Sequence, residues 1–321
     1  MYSSFSYSFK SSLSKNSTRY IISAHPRRAM ATASKIQLSL SQNPEYYRAG
    51  ILQESANAAS DLLQRNHEEH HIFFNRDGFH NHITHHLLTL WALRAGPEDI
   101  QKAFNVNQSY QRPPEPIESS VVSDMSDPAK FKGYLGNERY YHDFLEFFRQ
   151  EIDHFGWQAV VQKYLLAGNE QADDMLCRTF AGFLHPIIHL GFGVEFEQPA
   201  IIAEALAQSA VHADYMRELF LPAEKAAEKR NGEMSKSIVQ LLDDIHADPQ
   251  LGEAPRWSDG NKLRDGIIGR AADRMVHHVS QFHVKPEELE IKTAEMINAA
   301  AYFTAGAQRP DKIIKYDFYY M

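Results

Sequence analysis

The chain has 321 residues, 43% hydrophobic and 12% aromatic, enough apolar material for one large core or two ordinary ones. Its 33 basic and 41 acidic residues leave a net charge of −8, which excludes an overall basic surface of the kind that grips a nucleic-acid backbone. One cysteine excludes an internal disulfide framework and a thiolate metal cage, and no apolar run approaches the roughly 18 residues of a membrane-spanning helix.

Residues 1–44 stand apart: they hold no Asp or Glu, six Lys or Arg and twelve Ser. That composition reads as a mitochondrial transit peptide, as a disordered tail, or as an extended gene model whose true start is Met30-Ala31-Thr32-Ala33. All three readings exclude 1–44 from the fold and leave 45–321 as the domain. The expected location is cytoplasmic, or mitochondrial if 1–44 is an address.

Helical spacing starts beyond Gln42 with Leu52, Ala56, Ala59, Leu62 and Leu63. A Leu-rich helix is expected over 79–95, closed by Gly96, and Pro97-Glu98-Asp99 opens another. Pro113 and Pro114 break the chain into a loop through about Asp127. Further helices are expected at 137–151, 156–167, 172–190, 199–210, 235–247, 261–278 and 286–305, with 219–231 a charged exposed helix or linker. No alternating β pattern and no repeat occurs. The fold class is mostly α, a single compact multi-helix domain without a Rossmann sheet.

Seventeen histidines are many for this length, and they cluster. His82 and His86 are four apart in a Leu-rich stretch, so a helix would present both imidazoles on one face. His185 and His189 repeat the spacing, although Pro186 either bends the helix at Gly182 or starts it with His185 just outside. Two such pairs make a candidate four-imidazole metal site; neutral imidazole suits zinc, copper, iron and nickel. His85, beside the first pair, is a candidate base or an outer partner. Arg112 in Tyr110-Gln111-Arg112-Pro113 is either a candidate clamp for a phenolate or carboxylate, or an ion-paired loop residue.

Other groups carry less. His67, His70 and His71 sit beside Glu68 and Glu69, which favours a solvated helix end over a metal cluster. His277 and His278 point about 100° apart on a helix and read as structural. Cys177 reads as a small buried hydrophobe, and the aromatic tail at 316–320 as core packing. A flavin-binding dinucleotide fold needs a strand, a Gly-x-Gly-x-x-Gly turn and a helix. Gly191-Phe192-Gly193 follows a helix, lacks the third glycine and runs into Glu195 and Glu197, so no bound FAD is expected.

At these residues the chain resembles the fungal questin oxidase-like family. The resemblance rests on residues 79–88 (FHNHITHHLL) with Ala92-Leu93, Gly96 and Pro97, and on Tyr110-Gln111-Arg112-Pro113. It continues through 185–196 (HPIIHLGFGVEF), Arg309-Pro310-Asp311-Lys312 and Asp317-Phe318, and covers about 43–321. It implies O2-dependent oxidative opening of an anthraquinone-like aromatic polyketide ring in fungal secondary metabolism. The chemistry is either a Baeyer–Villiger-type oxidation with NADPH or a dioxygenase reaction on histidine-held non-haem iron. It implies His82, His86, His185 and His189 as metal ligands. Apart from the resemblance, a carbamylated lysine can act as an oxygen ligand, and Lys292, Lys312 and Lys315 are all available for it. The family pattern runs on past Asp317-Phe318, so the chain reads as C-terminally truncated. A metal-free NADPH-dependent or cofactor-free oxidase, and a non-catalytic remnant that binds a hydrophobic ligand, are the alternatives. Partners expected are the polyketide and O2, with no nucleic acid and no membrane.

Overall fold

The computed structural model describes residues 30–42, 44–230 and 234–306. In chain order its helices are α1 (Gln53–Glu69), α2 (Ile83–Ala92), α3 (Pro97–Gln108), α4 (Ser119–Asp124) and α5 (Pro128–Tyr134). Then come α6 (Tyr141–Phe155), α7 (Trp157–Leu165), α8 (Glu170–Thr179), α9 (His185–Glu195) and α10 (Pro199–Val211). The last are α11 (Arg217–Glu228), α12 (Ile238–Ala247), α13 (Pro249–Glu253), α14 (Gly269–Val279) and α15 (Leu289–Gly306). Among the described residues no strand forms beyond the isolated bridges Thr32–Lys35 and Phe73–His80. The architecture is all-α, as the 3.6-residue periodicity requires. Among the described residues no helix is long and apolar enough to cross a membrane.

The sequence of α10, PAIIAEALAQSAV, is mainly apolar, with Glu204, Gln208 and Ser209 its polar residues and no solvent-facing charged stripe, and a helix of that kind belongs inside. Every residue from Ala200 to Val211 is buried. Its flanks serve two core clusters. Ile202, Ala203 and Leu206 join the aromatic cluster of Phe131, Phe144, Phe147 and Phe148. Ala200 and Ile201 join the cluster that α1, α2 and α3 build around Leu63, Leu87, Trp91 and Phe104. The histidines lie around this central helix.

Several expected boundaries shift, each for a physical reason. Residues 31–42 belong to the folded body rather than to an excluded extension: Ala33, Ile36 and Leu38 are buried. Their backbone N–H groups are satisfied from elsewhere in the fold, Ile36 by Gln64 Oε1 (2.8 Å), Gln37 by Gln198 Oε1 (2.9 Å) and Leu38 by Ser60 Oγ (2.8 Å). The helix expected from 79 begins at Ile83, because Asn81 Oδ1 accepts from the Ile83 N–H (2.9 Å) and ends the preceding extended segment. The loop expected after Pro114 contains α4. The stretch expected as one helix over 172–190 is two, α8 and α9, separated by a left-handed turn. The stretch over 261–278 opens with a wide π-type segment, Lys262–Ile268, before α14.

A histidine cluster as candidate active site

Two segments bring the imidazoles together. The turn into α2 carries His80, His82 and His85, and α9 carries His185 and His189. His82 Nε2 lies 2.7 Å from His185 Nε2, and His85 Nε2 lies 3.0 Å from His189 Nδ1. His80 stacks on His185, with ring centroids 3.9 Å apart and planes 8° off parallel. Its Nε2 meets the Nε2 of His212, the residue after α10, at 2.9 Å. Phe192, one turn beyond His189, lies nearly parallel to the His85 ring at 5.1 Å.

The outward partners of the α9 pair decide which nitrogens carry protons. His185 Nδ1 is 2.7 Å from the Gly182 carbonyl, which can only accept, so Nδ1 carries the proton and Nε2 turns a lone pair toward His82. His189 Nε2 is 2.6 Å from Glu204 Oε2 on α10. A carboxylate also accepts, so His189 directs its Nδ1 lone pair at His85. Glu204 Oε1 takes a second imidazole, His67 Nδ1 at the end of α1, again at 2.6 Å.

Burial favours the neutral form of five rings of the cluster, His80, His82, His85, His185 and His212. Burial, reinforced by the neighbouring imidazoles His185 and His189, lowers His82 to about 4. His80 and His85 are pushed further down, by burial first and the surrounding rings second. His185 is lowered mainly by burial, and His212 falls to about 4 through burial, His185 and Arg178. Burial pushes Glu204 the other way, but hydrogen bonds from His189 and His67 outweigh it and hold the carboxyl at about 2.

A left-handed run positions His185. Gly182, Phe183 and Leu184 have φ of 57°, 53° and 66°. Such values suit glycine and strain the two side-chain-bearing residues. This turn folds the Gly182 carbonyl back under the His185 ring and lets α9 start at His185 with Pro186 in its first turn, where the missing N–H costs nothing. No other residue fits at 182: a Cβ there would sit 2.3 Å from His212 Nε2.

Of the four ligands expected from spacing, His82, His185 and His189 come together and His86 does not. His82 precedes the helix, with φ −101° and ψ 5°, so the same-face rule that requires both residues to be helical fails for this pair. His86 is exposed, with Nδ1 3.1 Å from Asn107 Nδ2 on α3, and His85 stands where His86 was expected. Arg112 is engaged by partners within the protein. It donates to the Phe73 carbonyl (2.8 Å), lies 3.1 Å from His71 Nδ1 and pairs with Glu138 and Glu115.

His67 and His71, expected at a solvated helix end, are buried; His67 meets Glu204, and His71 packs on Tyr141 with ring centroids 4.8 Å apart. His278 is buried against Asp248 (2.9 Å), a structural role, and Cys177 is buried. Lys292 is engaged by Glu295 (2.7 Å) and by the Phe282 ring. Lys312, Lys315, the motif at 309–312, Asp317-Phe318 and the aromatic tail lie outside the described residues.

His80, His212 and Glu204 were not singled out from sequence. Glu204 carried a usable signal: a lone acid in an otherwise apolar helix must be paired when buried. His212 carried none, because nothing local links it to residues 132 positions away.

Among the described residues no group of three His, Cys, Asp or Glu side chains converges in metal-ligand geometry; the nitrogens meet in pairs. A cleft lined by Arg76, Glu115, Glu118, Glu138, Arg139 and Asp143 is charged, and no histidine of the cluster lines it.

A model of the questin oxidase-like family matches residues 79–321, the segment that carries every histidine of the cluster except His67. This chain belongs to the questin oxidase-like family. Among curated relatives it is similar to a Baeyer–Villiger oxidase of Pestalotiopsis fici, 41% identical over 303 residues that cover 91% of this chain and 66% of that one. It is similar also to the questin oxidase of Aspergillus terreus, 40% identical over 91% of this chain and 66% of the relative. The questin oxidase of Aspergillus fumigatus is 37% identical over 91% of this chain and 67% of its own length. The chain thus spans about two thirds of the length of these family members.

Proposed function

We propose that this chain provides the reaction centre of an oxidoreductase that opens a ring of an anthraquinone-like aromatic polyketide with O2, in fungal secondary metabolism. One observation carries the reading: six imidazoles from the α2 turn, α9 and the end of α10 meet in three close pairs, in a chain about 40% identical to a questin oxidase.

The donor chemistry suits a histidine-held iron. Burial favours neutral rings at His82, His85 and His185, and the outer nitrogens of His185 and His189 rest on a backbone carbonyl and a carboxylate, the usual support of a metal-bound histidine. His82 with His185, and His85 with His189, are the pairs that would offer nitrogens to the ion. Nitrogens 2.7–3.0 Å apart are close to the spacing of two ligands that share a cation at about 2.0–2.1 Å each. When bound, iron supplies the redox chemistry that brings O2 to reaction. The residues themselves fix the lone pairs of His185 and His189.

Electron balance separates the two family chemistries. A Baeyer–Villiger-type monooxygenation inserts one oxygen atom, reduces the other to water and needs two electrons from NADPH. A dioxygenase inserts both atoms and needs none. The test supplies an anthraquinone, 18O2 and ferrous iron to the purified chain, with and without NADPH, and reads the product by mass spectrometry. A ring-opened product labelled from 18O2 supports the reading, and the number of labels chooses the chemistry. Intact anthraquinone under all conditions overturns it.

A further inference from the structure

Glu204 is the lone acid in the buried run of α10, and both of its oxygens are committed. Oε1 accepts from His67 and Oε2 from His189, each at 2.6 Å, and the carboxylate and both rings are nearly solvent-free. Ala203 and Ala205 beside it and Ala200 and Ile201 one turn before it are apolar. What an apolar residue could not do is accept two ring protons. A neutral imidazole left alone exchanges its proton between nitrogens, and a fixed acceptor on one nitrogen stops the exchange.

We infer that Glu204 is a positioning residue for the histidine centre. By accepting from His189 Nε2 it keeps the Nδ1 lone pair of His189 turned toward His85, and His67 holds the carboxylate in place. The functional importance of this lock rests on the reading proposed above; the lock itself is tested separately.

The experiment uses the full chain labelled with 15N in its histidine rings and records two-bond proton–nitrogen correlation spectra. In the wild-type protein the His189 proton is expected on Nε2 alone; a proton on Nδ1, or a mixture of the two forms, overturns the inference. Glu204→Gln replaces two acceptor oxygens by one oxygen and an NH2 donor. His67 or His189 must then switch its protonated nitrogen, and affinity for Co(II), followed by its visible absorption, is expected to fall about 10–100-fold. Glu204→Asp, which keeps the charge, is expected to recover most of that loss. A folded Glu204→Gln protein with both tautomers and Co(II) affinity unchanged contradicts the assignment. If that variant does not fold, His67→Phe removes one donor and frees the carboxylate to turn; a weaker Co(II) site is expected, and an unaltered one counts against the lock. Should wild-type protein take up no Co(II), the metal reading falls while the tautomer spectra still judge Glu204.

Discussion

A histidine becomes a directed donor only when something else holds its second nitrogen. For His185 that holder is the Gly182 carbonyl, which the left-handed turn places 2.7 Å away. Gly182→Ala therefore acts twice, through a φ of 57° and through a Cβ 2.3 Å from His212 Nε2. The expected loss is about 1–3 kcal/mol of stability, seen as a lowered thermal midpoint, together with displaced His212 ring signals. An unchanged midpoint would show that the turn carries no strain. Residue spacing made His82, His185 and His189 legible as a group. It misplaced the fourth member because the four-apart rule presumes helix, and Asn81 delays the helix to Ile83. Glu204 was hidden by its position in an apolar run, although an unpaired buried acid is costly enough to have prompted a search for its partners.

The site depends on how closely α9 and α10 approach. Gly193 makes that approach, since a Cβ there would stand 2.8 Å from Ile202 Cγ1 and 2.9 Å from the Ile202 nitrogen. Gly193→Val is expected to push the helices apart, to destabilise the protein by about 1–3 kcal/mol in urea unfolding, and to lengthen the His189–Glu204 hydrogen bond. Unfolding at the wild-type urea midpoint would show that the contact yields without cost. The periodicity located α10 almost to its ends, because a mainly apolar, Ala-rich stretch with Pro in its first turn has few alternatives. It merged α8 and α9, since His, Phe and Leu at 183–185 fit a helical pattern, and nothing in those residue types announces positive φ at Phe183 and Leu184.

Over the whole molecule, two consequences follow from burial. Ile36 and Leu38 close the cluster around α1 and α2, so Leu38→Ala is expected to cost about 2–5 kcal/mol, measured by chemical denaturation. No measurable change would return residues 31–42 to the extension the composition suggested. Basic, Ser-rich composition over 1–44 masked the alternating Ile36 and Leu38, the one local sign that the folded body starts earlier. The second consequence concerns acid. His71 at about 3 and His212 at about 4 lie below the ordinary value of 6.5, in both cases chiefly through burial. The unfolded chain therefore binds more protons as pH falls below 6.5, and metal-free protein should lose stability steadily from there toward pH 4. Glu204, held at about 2, adds to the loss below about 4.5. A thermal midpoint constant between pH 7 and 4.5 would contradict the buried, neutral histidines.

The central claim is that the paired imidazoles between α2 and α9, rather than the expected four-apart pairs, form the reaction centre. Turnover of an anthraquinone under O2, compared among wild type, His189→Ala and His86→Ala, tests it most directly. The account predicts that His189→Ala loses activity by more than the roughly 10–100-fold typical of an outer partner, while exposed His86→Ala stays within a few-fold of wild type. Equal losses in the two variants, or an active His189→Ala protein, would contradict it.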